Sequence, residues 1–253
     1  MYASVCMPCF FSLDVPIRDA FTLLTDIGYK MCEFWRIGDN MVREIASAAT
    51  DAGVSISGIC TDDFRMNESS HTANWLETLK KTIDKAHALG AKNLITQVGQ
   101  DTGEARQKQK DAILSALHGA AEILKSSDIR LLLEPLNTIY DHKGYYLDSA
   151  NEAAEIARSM ASKNIGIVLD FYHQQASGGD LINTFLTTKD VIFHVHAAAN
   201  PGRHELWLGE VNYERIFSEM RNAGYTGNVG LEYIPILPVR ESLSECRRYC
   251  SLL

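Results

Sequence analysis

The sequence predicts a single (β/α)8 TIM barrel of the α/β class, with residues 1–253 forming one domain. Short apolar runs alternate with helical patterns eight times along the chain. Four consecutive runs in the second half each end in an acidic residue or a histidine. With 253 residues, of which 46% are hydrophobic, the chain is large enough for one barrel core.

Eight apolar runs of strand length supply the predicted sheet. Several are continuously apolar, which is typical of parallel strands buried on both faces. The fifth run should stop before Pro135, which has no backbone N–H for pairing. The predicted strands are Ala3–Met7, Cys32–Trp35, Val54–Ile59, Asn93–Val98, Leu131–Glu134, Ile165–Asp170, Val191–His196 and Val229–Glu232.

Eight helical segments separate or follow these strands. The first has Ile17, Phe21 and Leu24 on one face, and Gly28 behind it is a suitable helix end. Strict alternation predicts parallel strands, and eight units predict closure. An open doubly wound sheet is the main alternative, but no glycine-rich phosphate loop follows the first strand. The predicted helices are Val15–Ile27, Asn40–Ala52, Thr72–Leu89, Glu104–Lys125, Ser149–Met160, Leu181–Leu186, Tyr213–Asn222 and Val239–Leu252.

The charge and the cysteines limit the class of protein. A net charge of −8 argues against nucleic acid or an anionic membrane as a partner. The chain has no apolar run of about 18 residues and no signal-peptide pattern at its start. We therefore expect a cytoplasmic protein whose six cysteines are reduced thiols. A monomer and a homo-oligomer both stay open.

Cys6 and Cys9 form a Cys-x-x-Cys pair, which occurs in redox and zinc sites. A second such pair is missing, and this one lies at the end of the first predicted strand instead of opening a helix. We therefore favour a structural role over metal or redox chemistry.

Polar side chains end four successive predicted strands. They are Glu134, Asp170, His196 and Glu232, separated by 36, 26 and 36 residues. In a TIM barrel the carboxyl ends of all strands meet at one mouth, so these side chains should converge. The alternative is that each merely caps its own strand. Three carboxylates and one imidazole suit one divalent ion such as Mn²⁺, Mg²⁺ or Co²⁺ better than all-cysteine zinc chemistry.

Several motifs between about residues 130 and 235 resemble the hydroxypyruvate isomerase family. That family belongs to the xylose-isomerase-like TIM-barrel superfamily, together with ketose 3-epimerases and endonuclease IV-type DNA-repair enzymes. The first 130 residues resemble it mainly in their barrel periodicity. The matching stretches are Leu133–Thr138, Gly144–Leu147, Leu169–His173, Pro201–Glu205, Gly209–Tyr213, Gly224–Gly227 and Gly230–Tyr233.

The resemblance implies roles for particular residues. Glu134, Asp170, His196 and Glu232 would be the metal ligands, and Glu134 and Glu232 would also be the catalytic proton carriers. His173 would contact substrate oxygens, and Arg203 would anchor the substrate. The alternative roles are a loop histidine that supports the metal ligands and a solvent-exposed arginine.

Four further residues are weaker candidates for supporting the site. His194 should point to the same side of its strand as His196 and orient a ligand from deeper in the barrel, or simply pack in the core. His204 and Glu210 share the loop of Arg203, where a supporting role is favoured. Trp35 is the last residue of the second predicted strand, and an apolar wall for the substrate and core packing are equally favoured.

Two departures from the family concern the substrate. Hydroxypyruvate isomerases typically have glutamine at the position of His196, whereas the epimerases have histidine there. They also tend to place a basic residue where this chain has Ile234. The expected substrate is therefore a neutral ketose, unless a lysine or arginine from the first 130 residues supplies the missing charge.

These observations favour a metal-dependent isomerase or epimerase that acts on a small sugar or hydroxy-keto acid through an enediolate. An endonuclease IV-like phosphodiesterase is the second hypothesis, but it would favour more histidine ligands and a basic surface. A barrel that binds without catalysis is the third, and the presence of all four candidate ligands argues against it.

Overall fold

The computed structural model describes residues 1–250, except for the side chain of Arg248. It confirms the barrel: eight parallel strands pair in chain order, and β1 closes the ring by pairing with β8. The strands are β1 Tyr2–Cys6, β2 Met31–Phe34, β3 Ser55–Cys60, β4 Asn93–Thr96, β5 Arg130–Leu133, β6 Ile165–Asp170, β7 Ile192–Ala197 and β8 Asn228–Leu231.

Helices connect the strands and cover the outside of the barrel. Each of the eight predicted helices is present with ends shifted by a few residues, and the predicted end at Leu252 lies outside the described residues. Gly28 ends the first predicted helix with a φ of 99°, as its position suggested. The helices are α1 Met7–Phe10, α2 Ile17–Ile27, α3 Val42–Ala52, α4 Thr72–Leu89, α5 Arg106–Leu124, α6 Ala150–Ser159, α7 Phe171–Ser177, α8 Leu181–Thr188, α9 Tyr213–Asn222 and α10 Val239–Tyr249.

The short helices α1 and α7 were not predicted, because four to seven residues are too few to show a helical period. Helix α1 begins directly after Cys6 and contains Cys9, so the prediction that this pair does not open a helix was wrong. Both thiols are free, and the Cys6 Sγ lies 3.9 Å from Glu232 Oε1. Burial raises the pKa of the Cys6 thiol, which agrees with a structural role.

Strand alternation decides which residues face the barrel interior. Ile95, Leu132 and Val168 form a small apolar cluster apart from the main core between barrel and helices. Side chains two residues apart on a strand share a face, so Glu134 and Asp170 point to the same side as Leu132 and Val168. The polar strand ends therefore lie above an apolar layer inside the barrel.

Candidate active site

The four predicted ligands converge at the carboxyl end of the barrel. Glu134, Asp170, His196 and Glu232 are all buried, and one ligand atom from each lies within 4.8 Å of the others. The Nδ1 atom of His196 lies 2.8 Å from Glu134 Oε1, 3.2 Å from Glu232 Oε2 and 4.0 Å from Asp170 Oδ2. The imidazole is thus surrounded by three carboxylates on one side.

This group of side chains fits a divalent cation. The buried Asp170 Oδ2 has no hydrogen-bond partner within the described chain, although its companion Oδ1 accepts from two backbone amides. Packing three carboxylates this closely is costly unless positive charge offsets them. Three oxygen ligands and one nitrogen ligand are a suitable set for a hard or intermediate divalent ion.

Burial and neighbouring charges both shift the pKa values of the residues in this cluster. Burial opposes protonation of His196, but Glu232, Glu33 and Glu134 outweigh it and raise the pKa of the imidazole. Burial also raises the pKa of Asp170. For Glu232 burial acts in the same direction, but His196 and Arg203 outweigh it and lower the pKa well below its usual value. Glu232 is therefore ionised near neutral pH.

Glu33 on β2 also belongs to the site, although we did not predict it. Its buried carboxylate lies 2.9 Å from His194 Nε2 and 3.1 Å from His196 Nε2. Burial raises the pKa of Glu33, but the two imidazoles outweigh that effect and lower it to about 2. A carboxylate at Nε2 favours a proton there, so Nδ1, which faces the carboxylate cluster, would be the nitrogen that gives up its proton to bind a cation. An acid inside the apolar run Cys32–Trp35 was the signal for this residue.

Glu33→Gln should weaken the binding of Mn²⁺ by about 10- to 100-fold, the usual cost of losing a partner that orients a metal ligand. The neutral amide no longer fixes the proton on Nε2 of His196. Calorimetric titration of the wild type and the variant measures the loss. Glu44→Gln on the exposed face of α3 is the matched control. Equal affinities of wild type and Glu33→Gln would show that Glu33 does not orient the ligand.

Gly230 makes room for this arrangement. It pairs in register with His196, and a Cβ atom there would lie 2.3 Å from Glu33 Oε1 and 2.5 Å from His196 Cδ2. We expect Gly230→Ala to lower the free energy of unfolding by about 1–3 kcal/mol, as overpacking usually does. Urea denaturation measures it, with Gly178→Ala as the control because its Cβ would meet only Gln174 at 3.9 Å. Unchanged stability in Gly230→Ala would contradict the tight fit.

Arg203 and Trp35 both contact Glu232. The Arg203 Nη2 atom lies 2.6 Å from Glu232 Oε2 and 3.7 Å from Asp170 Oδ2. The indole Nε1 of Trp35 donates a hydrogen bond of 2.6 Å to Glu232 Oε1. Trp35 is 45% exposed, so it lies on the wall of the cavity and outside the core. These contacts hold the Glu232 carboxylate from both of its oxygens.

His173 has one ring nitrogen hydrogen-bonded to Asn137 and the other facing the Asp170 carboxylate. Its Nδ1 accepts a hydrogen bond of 3.2 Å from the Asn137 backbone N–H and lies 2.7 Å from the Asn137 amide nitrogen. Burial and the nearby Arg203 lower the pKa of His173 to about 3, so the ring is neutral. An accepting Nδ1 places the ring proton on Nε2, which is buried, lies 3.6 Å from Asp170 Oδ2 and has no hydrogen-bond partner in the described chain.

His194, His204 and Glu210 lie at different distances from the cluster. His194 is buried and packs edge-on against His196, with ring centres 4.9 Å apart. His204 bonds through Nδ1 to the Ile234 carbonyl at 2.8 Å and so ties two loops together. Glu210 is exposed and accepts a hydrogen bond of 3.0 Å from Gln175. His194 alone of the three touches the residues around the ligands.

A cavity of about 420 Å³ opens over the cluster. This volume is within the range of small-molecule sites. A larger cavity of about 950 Å³ lies at the opposite end, where Ser55, Asn93, Arg130 and Asn228 begin their strands. The smaller cavity is the candidate site, because it contains the convergent polar groups. Its walls include Trp35, Arg36, Phe64, His142, His173 and Arg203.

None of the helices within residues 1–250 is long and apolar enough to span a bilayer.

Comparison with known proteins supports the barrel fold. Residues 21–249 match the model of the xylose isomerase-like TIM-barrel family. The chain belongs to this family. It is 37% identical over 154 residues to a hydroxypyruvate isomerase of Escherichia coli K12, a match that covers 60% of this chain and 59% of that protein. It is 27% identical over 231 residues to a 2-oxo-tetronate isomerase of Haemophilus influenzae, covering 88% and 89%.

Two solved structures superpose over nearly the whole chain. A structure described as an AP endonuclease, family 2, from Brucella melitensis has a TM-score of 0.91 and 26% identity, covering 98% of both chains. A D-psicose 3-epimerase from Clostridium cellulolyticum H10 has a TM-score of 0.81 at 12% identity, covering 99% and 98%. At such low identity the second likeness shows the fold alone.

Proposed function

We propose that this protein is a metal-dependent isomerase that converts a small 3-hydroxy-2-oxo acid, such as hydroxypyruvate, into its 2-hydroxy-3-oxo isomer through an enediolate. One observation carries the proposal. Glu134, which directly follows β5, and Glu232, which directly follows β8, converge with Asp170 and His196. The relatives described as hydroxypyruvate and 2-oxo-tetronate isomerases support the reaction class.

The proposed ligands of one Mn²⁺, Mg²⁺ or Co²⁺ ion are Glu134, Asp170, His196 and Glu232. When bound, such an ion supplies Lewis-acid stabilisation of the negative charge that develops on the substrate oxygens. His194 and Glu33 hold the imidazole of His196 behind the cluster. Arg203 and Trp35 fix the orientation of Glu232.

The two glutamates are the proposed proton carriers. One carboxylate removes a proton from C3 of the substrate, the carbon beside the carbonyl. The other carboxyl group delivers a proton to C2, which completes the isomerisation. Ionised Glu232 has the protonation state of a base, and Glu134 lies beside it, since both carboxylates contact Nδ1 of His196, Glu134 at 2.8 Å and Glu232 at 3.2 Å. The hydroxyl proton at C3 moves to the oxygen at C2, so no external oxidant or reductant is needed.

His173 is the proposed hydrogen-bond donor to a substrate oxygen. Asn137 occupies its Nδ1 atom, which leaves the Nε2–H group 3.6 Å from Asp170 Oδ2, and His173 lines the cavity over the cluster. A donor fixed in this way needs no reorganisation when negative charge develops on the substrate. Arg203, which is already paired with Glu232, would contact substrate as a second donor.

A 3-epimerase acting on a neutral ketose is the alternative, and the histidine at position 196 favours it. An endonuclease IV-like phosphodiesterase has support from the description of the Brucella melitensis structure. A single imidazole among the four converging ligands and a net charge of −8 count against phosphodiester cleavage of DNA.

Proton NMR of the Mn²⁺- or Mg²⁺-loaded protein with a panel of ketoses, 3-hydroxy-2-oxo acids and an abasic-site DNA duplex tests these functions together. In D₂O we expect conversion of a hydroxy-oxo acid into its aldehyde isomer. Inversion at C3 of a ketose would establish the epimerase, and strand cleavage the phosphodiesterase. Turnover of none of the acids would sink the isomerase proposal.

We also propose that residues 1–253 act as one domain in the cytoplasm on a small-molecule partner. All six cysteines are free thiols in the structure, which is usual for a reducing compartment.

A further inference from the structure

Arg36 is the one arginine or lysine on the cavity wall that has no acidic partner within the described residues. It follows β2 by two positions and lines the same cavity as Glu134 and Glu232. The Arg36 guanidinium makes no ion pair and no hydrogen bond with any other residue that the structure describes. Arg203 differs, because Glu232 and Asp170 already neutralise it.

The Arg36 guanidinium has a defined position. Its central carbon lies 4.5 Å from the ring centre of Phe64, which also lines the cavity. A cation held over an aromatic face keeps its N–H groups free at the edge of the plane. Arg36 can therefore present a fork of donors to a ligand without first breaking an ion pair.

The charges of the site require such a cation if the substrate is an acid. Four buried carboxylates, those of Glu33, Glu134, Asp170 and Glu232, surround the site, whereas Arg203 and a bound divalent ion would together supply three positive charges. The carboxylates outnumber these positive charges by one. An anionic substrate would be repelled by this centre, whereas a neutral ketose would not.

We propose that Arg36 binds the carboxylate of a 3-hydroxy-2-oxo acid substrate and makes the site selective for acids. This inference rests on the proposed isomerase function. The sequence led us to expect a neutral substrate unless a lysine or arginine from the first 130 residues supplied a positive charge. Arg36 is such a residue, so we now favour an acid. Ile234, which suggested that expectation, follows β8, and β8 and β2 are the two neighbours of β1. Arg36 therefore supplies the positive charge that Ile234 does not, from the opposite side of β1.

The test compares two three-carbon substrates that differ in one group. Hydroxypyruvate carries a carboxylate where dihydroxyacetone carries a hydroxymethyl group. Arg36→Leu should lower kcat/KM for hydroxypyruvate by about 10- to 150-fold, mainly through KM, as expected for one charged hydrogen-bonded contact. Exchange of dihydroxyacetone hydrogens with D₂O should change by less than about twofold, because this substrate has no carboxylate for Arg36 to bind. Arg36→Lys should recover part of the loss, because it keeps the charge without the fork.

A binding measurement separates this inference from the proposed reaction. Calorimetry with D-glycerate and with glycerol, both on the metal-loaded protein, needs no turnover. D-glycerate should bind the wild type and lose about 10- to 150-fold of its affinity in Arg36→Leu, whereas Arg43→Leu on the exposed face of α3 should leave it unchanged. Thermal melts of each variant check that it is folded.

The outcomes distinguish the two claims. A wild type that binds D-glycerate through Arg36 but isomerises no hydroxy-oxo acid would refute the reaction and keep the anchor. Equal D-glycerate affinity in wild type and Arg36→Leu would overturn the anchor and leave Arg203 as sufficient. A wild type that does not bind D-glycerate, or an equal loss for acid and neutral ligands, would also overturn it.

Discussion

Glu134→Gln and Glu232→Gln should each reduce kcat by at least about 100-fold, the lower end of general acid–base effects. Glutamine keeps the shape of the side chain and one carbonyl oxygen, but it cannot accept the substrate proton at neutral pH. Glu232 should be the more sensitive position, because Arg203 and Trp35 hold its two oxygens in place for the ionised form. Initial rates of isomerisation, measured by proton NMR, give the loss.

The metal content of each variant must be measured beside its rate, because both glutamates are also proposed ligands. Rates compared at saturating Mn²⁺ isolate the loss of proton transfer from the loss of metal. Glu155→Gln on the exposed face of α6 is the control for removing one negative charge. A substrate deuterium at C3 that moves quantitatively to C2 would indicate a hydride shift and refute the roles of the two glutamates.

The strand ends could be predicted because two simple rules act together there. A buried apolar run that ends in an acid must place that acid where charge is tolerated, and a parallel barrel brings all such ends to one mouth. Glu134 and Asp170 followed from this rule, since each continues the inward face of Leu132 and Val168. Their convergence within 4.8 Å required no knowledge of the loops.

The contacts in the first half of the site could not be predicted in the same way. Arg36 lies in the loop after β2 and Phe64 in the loop after β3, and the sequences of these loops have no periodic signal that would predict their contact. Trp35 meets Glu232 across 197 residues of chain, and only barrel closure between β1 and β8 brings them together. Glu33 had a signal in its sequence, but β2 has only four residues, and its acid is inside the strand instead of at its end.

Helix α7 illustrates how one residue can serve both fold and site. Asp170 ends β6 and caps α7, with Oδ1 accepting hydrogen bonds of 2.7 Å from the Tyr172 N–H and 3.2 Å from the His173 N–H. These bonds leave Oδ2 to face the ligand cluster. The sequence indicated the ligand but not the cap, since a seven-residue helix is hard to recognise.

Asp170→Asn should therefore weaken Mn²⁺ binding by more than Glu33→Gln does. The loss of a residue that only orients a metal ligand costs about 10- to 100-fold in affinity, and Asp170 is a proposed ligand itself. The asparagine oxygen can keep both bonds to the start of α7, since asparagine caps helices as well as aspartate does. Its amide N–H₂ group then replaces the charged Oδ2 and presents hydrogens to the cation. Calorimetric titration measures the affinity, and Asp84→Asn on the exposed face of α4 is the matched control.

The stability of the metal-free Asp170→Asn protein separates a lost ligand from a damaged fold. Burial raises the pKa of Asp170, so above its unfolded-state pKa the ionised side chain costs stability that a neutral amide does not. Urea denaturation at pH 7 without metal should therefore show a variant at least as stable as the wild type. The stabilisation that Mn²⁺ gives the wild type should shrink with the affinity. A variant that binds Mn²⁺ as tightly as the wild type would place the cation elsewhere in the protein.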